Sequence, residues 1–437
     1  MKTLAVWMNG EHVADWTVGR TGKHLLTYTA AWLNSPQSRP LSLSLPFTAT
    51  RQIEGSAVEN YFDNLLPDSD SVRRQISTRF KTKGANAFAL LEAIGRDCVG
   101  AVQLLPPGLV PDGFDALKYE PLTPAQVESH VQNMGPQAGL GLQDEWHDFR
   151  LSIAGAQEKT ALLRVGNAWC RPLGATPTTH ILKPQIGMTQ GRQFDLSQSV
   201  ENEWLCNQII QKLGLPAAQS EMTDFGASRV LVVTRFDRQA TPAGWIARLP
   251  QEDLCQAKGV ASASKYEEMG GPGMDACLEV LKNSQTPHED GRTFLCAQLL
   301  FWLLAATDGH AKNFSLFMLR QGAYRMTPLY DVLSAWPIIG KKANQLPYQK
   351  AKMAMAVRSK NAHYKLSEIQ RRHWQDLAQR SGVEGAWDAM QNMAQQLDGV
   401  LSQVERDLPA GFPARVAQSI FDGTRKHLKL FHTDSKK

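Results

Sequence analysis

The chain has 437 residues, of which 43% are hydrophobic and 20% are charged, and its formal net charge is +5. This composition is typical of an ordinary globular protein with large buried cores and two or three domains. It argues against a membrane-spanning protein, because the longest apolar run, residues 294–306, is too short to cross a bilayer and predicts a buried helix. The mild positive charge permits contact with nucleic acid or an acidic partner but predicts neither.

The N-terminal part of the chain, to about residue 105, predicts a small α+β domain. Asn9-Gly10 signals a two-residue turn between the apolar stretches 4–8 and 13–18, which predicts a β-hairpin. Residues 41–45 alternate between leucine and serine with a period of two, which predicts a strand. The other elements expected here are helices at 57–66 and 87–94, a strand at 99–105, and a linker that is rich in proline and glycine from residue 106.

From residue 149 onward the pattern changes to short strands joined by tight loops. Ser199 is the expected N-cap of a helix over 200–213, and Gly214 is the residue expected to end it. The strands of this part are predicted at 151–153, 160–165, 168–170, 179–182 and 230–233, and the rest of the chain is predicted to be mostly helical.

These changes of pattern predict four parts of the chain. They are an N-terminal subdomain at 1–105, a linker or helical connection at 106–148, a strand-rich part with a phosphate loop at 149–240, and a helical part at 241–437. Six cysteines are scattered without a CxxC pair or a zinc-type cluster, and the N-terminal apolar stretch is too short for a signal peptide. Both features favour reduced thiols and a cytoplasmic location.

The segment from Thr307 to Asn313 carries the clearest chemical signal. Asp308 and Asn313 are five residues apart directly after the apolar run, which is the aspartate-to-asparagine spacing of a kinase catalytic loop. Such a loop places a carboxylate at the acceptor hydroxyl and an amide oxygen on magnesium. Both residues are also ordinary turn formers at the end of a helix, so this motif alone favours catalysis only mildly.

Three further residues stand in kinase order around this loop. Asp331 follows a strand-like stretch and can supply the second magnesium ligand, although alone it is better explained as a turn residue. Lys183 ends an apolar strand, where a lysine can reach the α- and β-phosphates of ATP. Glu203 lies twenty residues later, on the expected polar side of a helix, and can pair with that lysine; a solvated helix charge is the simpler explanation.

The loop from Ser152 to Lys159 is a candidate phosphate cradle. It contains one glycine, and Glu158 stands where a Walker A motif has its second glycine. The backbone amides of Gly155, Ala156 and Gln157 can still bind phosphate, or the loop is a plain hairpin turn. Each signal is weak or moderate, but the order of loop, lysine, glutamate, hinge strand, aspartate–asparagine loop and final aspartate favours ATP- and magnesium-dependent phosphoryl transfer.

The sequence also resembles the HipA family of bacterial toxin kinases over nearly its whole length. The motifs that carry the resemblance are Arg39-Pro40-Leu41-Ser42-Leu43-Ser44-Leu45-Pro46, Phe62-Asp63-Asn64-Leu65-Leu66-Pro67-Asp68, Ile94-Gly95-Arg96-Asp97, Phe149-Arg150-Leu151-Ser152-Ile153-Ala154-Gly155-Ala156-Gln157-Glu158-Lys159, Arg248-Leu249-Pro250-Gln251-Glu252-Asp253, the 307–313 loop and Tyr330-Asp331.

The resemblance implies a fold class and a set of site residues. The fold would be α+β, a bilobal arrangement like that of eukaryotic protein kinases and lipid kinases, with a small α+β N-terminal subdomain and a largely helical C-terminal lobe. Asp308 would be the catalytic base, Asn313 and Asp331 would bind Mg²⁺, and Ser152 would be autophosphorylated. The implied ATP contacts are Ala154, Gly155, Ala156, Gln157, Glu158, Lys159, Lys183, Thr234, Arg235, Phe236, His310, Tyr330 and Asp331.

The resemblance also implies a biological role. Such a toxin would phosphorylate glutamyl-tRNA synthetase, stop translation and promote persistence. A HipB-like helix-turn-helix antitoxin would neutralise it, and the pair would repress its own operator, with the DNA contacted mainly through the antitoxin. Two other functions remain open on the residues alone: a kinase-fold phosphotransferase that acts on a small molecule, and a degenerate kinase that serves only as a binding module.

Overall fold

The computed structural model describes residues 1–133, 152–155, 157–188 and 194–433. The strands are β1 (Lys2–Met8), β2 (Glu11–Val18), β3 (His24–Tyr28), β4 (Gln52–Glu54), β5 (Val102–Leu105), β6 (Tyr119–Pro121), β7 (Thr160–Val165), β8 (Ala168–Pro172), β9 (His180–Pro184), β10 (Gly187–Met188), β11 (Asp195–Leu196), β12 (Ser220–Phe225), β13 (Ser228–Thr234), β14 (Arg238–Ala240), β15 (Ile246–Arg248), β16 (Gln251–Asp253), β17 (Ser315–Met318), β18 (Tyr324–Met326), β19 (Lys352–Arg358) and β20 (Ala362–Lys365). The helices are α1 (Ala30–Leu33), α2 (Ser56–Asp63), α3 (Asp70–Arg79), α4 (Ala87–Ile94), α5 (Pro124–Gln132), α6 (Ser199–Lys212), α7 (Leu254–Ala257), α8 (Met274–Leu281), α9 (Pro287–Leu303), α10 (Arg371–Arg380), α11 (Ala386–Arg406) and α12 (Ala414–His432).

The chain divides into two compact units. The first is made of Met1–Pro184, Thr223–Ala263 and Leu316–Tyr324, and the second of Gln185–Met222, Ser264–Ser315 and Arg325–Lys437. Across the described ranges, none of the helices combines the length and the apolar character that crossing a membrane requires. All six cysteines are buried and none is in a disulfide.

The N-terminal sheet of the first unit has the strand order β4-β3-β2-β1-β5. Its central hairpin turns at Asn9 and Gly10, whose φ angles of 44° and 85° are those of the tight turn that the Asn-Gly pair predicts. The inner faces of the strands pack on α2 and α4, where the rings of Trp16 and Phe62 stack with their centroids 4.0 Å apart. The predicted hairpin and both predicted helices are confirmed, with α2 starting and ending earlier than expected.

The predicted strand at 41–45 is wrong, because this segment is a buried turn. The hydroxyl of Ser44 donates to the carbonyl of Gln256, and the Leu43 amide donates to Glu252 Oε1 over 2.9 Å. Burial raises the pKa of Glu252 to about 8, so its carboxyl is largely neutral at pH 7. The period of two arises because the serines bond to the segment around α7 while Leu41 and Leu45 enter the core, without any partner strand.

The second sheet of the first unit has the order β12-β13-β9-β7-β8-β6 and carries Lys183 on β9. Lys183 lies opposite Leu231 of β13, and the side chains of Leu162, Leu182 and Val232 form the core on one face. Helix α5 packs on β13 and begins with a capping box between Thr123 and Gln126. The predicted strand at 151–153 is not found at residues 152 and 153, and Leu151 lies outside the described residues.

A cluster of five buried charged residues lies within the first unit. Asp97 accepts from Arg238 over 2.9 Å and from Arg248 over 3.3 Å, and Asp237 accepts from Arg235 over 2.7 Å. Burial alone would raise the pKa of Asp97, but the guanidinium groups of Arg238, Arg235 and Arg248 together hold that pKa well below its usual value. The cluster joins the end of the N-terminal subdomain to the strands around residue 237.

The second unit is mainly helical and is built around α9. Almost every residue of α9 after Thr293 is buried, and α8, α11 and α12 pack against it. Helix α6 ends as predicted at Gly214, whose φ of 76° allows the Leu215 amide to reach the Ile210 carbonyl. Ser199 is not the N-cap but the first helical residue, and its hydroxyl accepts a hydrogen bond from the Ile186 amide.

We expect Asp97→Asn to destabilise the first unit by about 3–5 kcal/mol, because the change leaves buried guanidinium groups without their counter-charge. The measurement is urea unfolding of the full chain at pH 7, with Asp112→Asn as the control, since the Asp112 side chain is exposed. If the Asp97 variant and the wild type unfold with the same midpoint urea concentration, the cluster does not have the stabilising role given to it.

The same cluster predicts a dependence of stability on pH. The folded-state pKa values of Asp97 and Asp237 are lowered. Their contribution is therefore present above the unfolded pKa of about 3.9 and is lost as the pH falls through the folded values. The difference in unfolding free energy between wild type and Asp97→Asn should narrow below about pH 4, and a difference that widens there would contradict this assignment.

Candidate functional site

The loop after α9 is shaped by two close backbone contacts. Ala305 has a φ of 50°, which lets the Ala306 amide donate to the Phe301 carbonyl over 2.7 Å and ends the helix sharply. A Cβ atom on Gly309 would come 2.4 Å from the Phe301 ring, so only glycine fits at that position. The chain therefore leaves a buried helix and turns at once into the segment that carries Asp308.

Asp308 and Asn313 are held together by the backbone of this loop. The Asn313 Nδ2 atom donates to the Asp308 carbonyl over 2.7 Å, and the His310 amide donates to the same carbonyl over 2.8 Å. These bonds leave the Asp308 carboxylate outside, with its side chain 56% exposed, while His310 is buried. Because Asn313 donates through its nitrogen, its amide oxygen is the atom that can bind a cation.

Asp331 sits in a strained backbone conformation next to this loop. Its φ is 61°, a left-handed value that an aspartate adopts only when its surroundings impose it. The preceding Tyr330 donates its hydroxyl to the Lys312 carbonyl over 2.8 Å and lies 2.5 Å from the Ser315 hydroxyl. The segment that carries Asp331 is thereby fixed to the end of the 307–313 loop, and the expected contact of Tyr330 with ATP stays a prediction.

The oxygen atoms of Asn313 and Asp331 fit magnesium, which prefers hard ligands and keeps several waters or phosphate oxygens. No set of three His, Cys, Asp or Glu side chains within the described residues is arranged for a metal ion. A kinase site needs no such set, because one aspartate and one asparagine share the ion with ATP phosphates. The observation that supports a magnesium site is that Asn313 uses its Nδ2 atom in the hydrogen bond to Asp308, which leaves Oδ1 to bind the ion.

Two residues that the sequence analysis missed tie α6 to the segment after Asp331. Asn202 Nδ2 donates to the Ser334 carbonyl and the Ser334 amide donates to Asn202 Oδ1, each over 2.8 Å. The Ser334 hydroxyl in turn donates to the carbonyl of Leu304 at the end of α9. A buried asparagine inside an amphipathic helix pattern was the signal available for Asn202.

Glu203 does not lie on a polar face as expected. Its side chain is buried, as are those of Glu201 and Asn202, because α6 packs against α11 and α12 as well as the Ser334 segment. Glu203 belongs to the second unit and Lys183 to the first, and Lys183 is likewise buried. The ion pair between them stays a prediction.

The candidate phosphate loop is anchored to the N-terminal subdomain within the first unit. The Ser152 hydroxyl is fully buried and donates to the Leu65 carbonyl over 2.8 Å. The Asp68 amide donates to the Gly155 carbonyl, and Gly155 has a φ of 115° that glycine favours. These bonds explain why the motif from Phe62 to Asp68 accompanies this loop.

The other end of the loop is held by strand β9. Gln157 Nε2 donates to the carbonyl of Pro184, the residue that follows Lys183. Lys159 folds back so that its Nζ atom would lie 2.4 Å from a Cβ on Gly155. Partial burial raises the pKa of the Glu158 carboxyl. Ala154 lies within the described loop, and Ala156 lies outside the described residues.

The expected hinge begins at Thr234, the last residue of β13, and continues through Arg235 and Phe236 in the first unit. The Arg235 side chain is engaged in the buried ionic cluster and its backbone amide donates to the Thr179 carbonyl, so neither group is available to a nucleotide. Thr234 is exposed, and the Phe236 ring packs edge-on against Phe317 with centroids 5.8 Å apart. The contact of Arg235 with Asp237 is local, but its contact with Asp97 joins distant parts of the chain and cannot be predicted from neighbouring residues.

A third missed residue contacts Asp308 itself. Tyr266 donates its hydroxyl to Asp308 Oδ1, and its ring packs edge-on against His310 with centroids 5.0 Å apart. No pattern in the sequence marks Tyr266, because the carboxylate that it contacts lies 42 residues further along the chain.

Comparison with known proteins identifies the family. Residues 4–105 match the HipA N-terminal domain and residues 151–407 match the HipA-like C-terminal domain. The Y4mE protein of Sinorhizobium fredii, whose name assigns it provisionally as a kinase, is 33% identical over 386 residues, which is 88% of this chain and 86% of that protein. The serine/threonine-protein kinase toxin HipA of Shewanella oneidensis is 29% identical over 351 residues, 76% of each chain.

A solved structure shares the fold. In the complex of Shewanella oneidensis HipA, HipB and operator DNA, the matched chain superimposes with a TM-score of 0.77 and 23% identity over 98% of both chains. This match establishes the α+β architecture. The two family matches cover residues 4–105 and 151–407 of the same chain. The chain therefore belongs to the HipA family of kinases.

Proposed function

We propose that this chain is a serine/threonine protein kinase that uses ATP and magnesium and acts as the toxin of a toxin–antitoxin pair. The observation that carries the proposal is the loop after α9, which exposes the Asp308 carboxylate while its backbone carbonyl holds the Asn313 amide. The proposal includes a bilobal, kinase-like fold with the four parts expected from the sequence: 1–105, 106–148, 149–240 and 241–437.

The proposed chemistry is transfer of the γ-phosphoryl group from ATP to a serine hydroxyl. Asp308 accepts the proton of that hydroxyl as the new O–P bond forms and the bond between the γ-phosphorus and the bridging oxygen breaks, which releases ADP. Magnesium, held by Asn313 and Asp331, would neutralise the charge on the phosphates. Lys183 and the backbone of the loop from Ala154 to Lys159 would bind the phosphates, and the backbone at 234–236 and His310 would contact the nucleotide.

The proposed partners follow from the family relatives. The solved relative is named in a complex with HipB and operator DNA. We propose a HipB-like antitoxin for this chain, with DNA contacted mainly through that partner and with repression of its own operator. The proposed protein substrate is glutamyl-tRNA synthetase, whose phosphorylation would stop translation and promote persistence.

The proposed self-regulation involves Ser152. Its hydroxyl is fully buried and bonded to the Leu65 carbonyl, so it can accept phosphate only after the segment leaves this position. A phosphate on it carries nearly two negative charges and cannot return to a buried site that was built for a neutral hydroxyl. Phosphorylation of Ser152 would therefore remove the phosphate loop and silence the enzyme.

We expect Asp308→Asn to lower phosphoryl transfer by about 10²–10⁴-fold while Mg-ATP still binds, because the variant loses the base but keeps the shape of the loop. The measurement is phosphoryl transfer from labelled ATP, followed by mapping of the phosphorylated sites. The kinase is first dephosphorylated with a phosphatase, and glutamyl-tRNA synthetase is added as the acceptor. Asp422→Asn, at an exposed position of α12, is the matched control.

Normal transfer by the Asp308 variant would overturn the assignment of the base. Transfer by wild type to an aminoglycoside antibiotic, with none to any protein, would replace the protein kinase proposal with the small-molecule one. Absence of Mg-ATP binding in calorimetry would leave only a binding module.

We expect Asp331→Ala to lose the magnesium-dependent part of ATP affinity, because it removes a carboxylate ligand of the ion. Calorimetric titrations of ATP with and without magnesium measure this part directly. The neighbouring change Val332→Ala is the control for disturbance of the strained segment. Equal magnesium dependence in wild type and Asp331→Ala would remove Asp331 from the metal site.

We expect Ser152→Asp to weaken ATP binding strongly and Ser152→Ala to leave it nearly unchanged. A carboxylate at a fully buried position costs about 3 kcal/mol or more without a counter-charge, so the segment is driven out of its place. Limited proteolysis of the 152–159 segment and calorimetry measure the two effects. Intact ATP binding together with an unchanged cleavage pattern in Ser152→Asp would contradict the proposed regulation.

A further inference from the structure

The contact between Tyr266 and Asp308 joins the candidate base to a loop that carries no other candidate catalytic residue. Tyr266 donates its hydroxyl to Asp308 Oδ1, and the edge of its ring faces the buried His310 at a centroid separation of 5.0 Å. Both residues lie in the second unit. A tyrosine hydroxyl carries one O–H donor, which suits it to bind a carboxylate oxygen.

The residues that follow Tyr266 in the chain hold its backbone in place. Glu267 Oε2 accepts from the Ala356 amide over 2.6 Å, and Glu267 Oε1 accepts from Arg358 Nε over 3.0 Å. Glu268 accepts from Lys352 Nζ over 2.7 Å. These three bonds fasten the short turn that follows Tyr266 onto strand β19.

Glycines after this turn allow the backbone to approach its neighbours more closely than any other residue would permit. A Cβ atom on Gly271 would lie 2.1 Å from the Ser264 carbonyl oxygen, and one on Gly273 would lie 2.5 Å from the Glu267 carboxylate. The backbone therefore folds closely around the position of Tyr266. A hydroxyl fixed in this way gives the exposed carboxylate of Asp308 one defined orientation.

We propose that Tyr266 is a positioning residue for phosphoryl transfer. This inference rests on the proposed function, because it assigns Tyr266 a role through the base Asp308. The Tyr266 hydroxyl occupies Oδ1 and fixes the rotation of the carboxylate, which leaves Oδ2 to accept the proton of the incoming hydroxyl. Tyr266 itself neither gains nor loses a proton during the reaction, and the acceptor's proton goes to Asp308.

The Tyr266→Phe variant separates this role from a packing role. It removes the hydroxyl and keeps the ring that packs on His310. We expect its maximal transfer rate to fall about tenfold, because a misplaced base lowers the rate of the chemical step. The ATP concentration at half-maximal rate and the melting temperature should stay as in wild type. Tyr119→Phe, at an exposed position on β6 in the first unit, is the control tyrosine and should show full activity.

The rate is measured as release of the labelled γ-phosphate from Mg-ATP to any acceptor, which includes the chain itself and water. A double-mutant cycle then tests the route of the effect: adding Tyr266→Phe to Asp308→Asn should cause no further loss. An equal tenfold loss in both backgrounds would overturn the inference, because Tyr266 would then act without Asp308.

Other outcomes are equally decisive. A wild-type rate in Tyr266→Phe would overturn the positioning role, and a faster rate would show instead that the tyrosine hydroxyl competes with the acceptor for Asp308. If Asp308→Asn is inactive while Tyr266→Phe is fully active, only this inference fails. If Asp308→Asn is as active as wild type, the proposed function fails first.

Discussion

The buried ionic cluster of the first unit is the constraint on which the rest of that unit depends. Two carboxylates, Asp97 and Asp237, face three guanidinium groups inside the protein, where each unpaired charge would cost several kcal/mol. All five charged groups must therefore be buried together when the unit folds. Asp97 lies near the end of the N-terminal subdomain, just before β5, whereas Arg248 comes from β15, so the cluster fastens segments that are 151 residues apart. The backbone follows the same pattern, since the Gly100 amide donates to Asp237 and the Asn9 side chain bonds to the backbone of Arg248.

The second unit depends instead on how one buried helix ends. An apolar helix cannot simply stop in the core, because its last carbonyls need partners. Here the left-handed Ala305 turns the backbone back on Phe301, and the carbonyl of Leu304 is taken by the Ser334 hydroxyl. The same few bonds that satisfy the helix end also set the positions of the Asp308 loop and of the segment after Asp331. Stability and the placement of the candidate catalytic groups thus share their hydrogen bonds, which explains why a strained φ at Asp331 is tolerated.

The sequence correctly predicts the features that depend only on interactions between neighbouring residues. The Asn-Gly turn, the helix end at Gly214 and the placement of Asp308 and Asn313 on one loop follow from the chemistry of a few adjacent residues. The errors have the opposite origin. Residues 41–45 alternate like a strand, but the bonds of their serines reach Gln256, more than 200 residues away. Glu203 was placed on a polar face, although a helix that is surrounded by other helices and loops has almost no such face. Tyr266 was invisible for the same reason, since its only special property is the distant carboxylate that it contacts.

On the proposed function, the burial of Ser152 makes two states mutually exclusive. While its hydroxyl donates to the Leu65 carbonyl, the loop is bound to the N-terminal subdomain through Gly155 and Asp68, and the serine is inaccessible as an acceptor. Once the segment has left and gained a phosphate, the same buried position excludes it, because desolvating a dianion without a cation costs far more than one hydrogen bond returns. On this proposal, a single buried hydroxyl separates the two states. The N-terminal subdomain, which has no candidate catalytic residue of its own, gains a role as the support that the phosphate loop occupies or leaves.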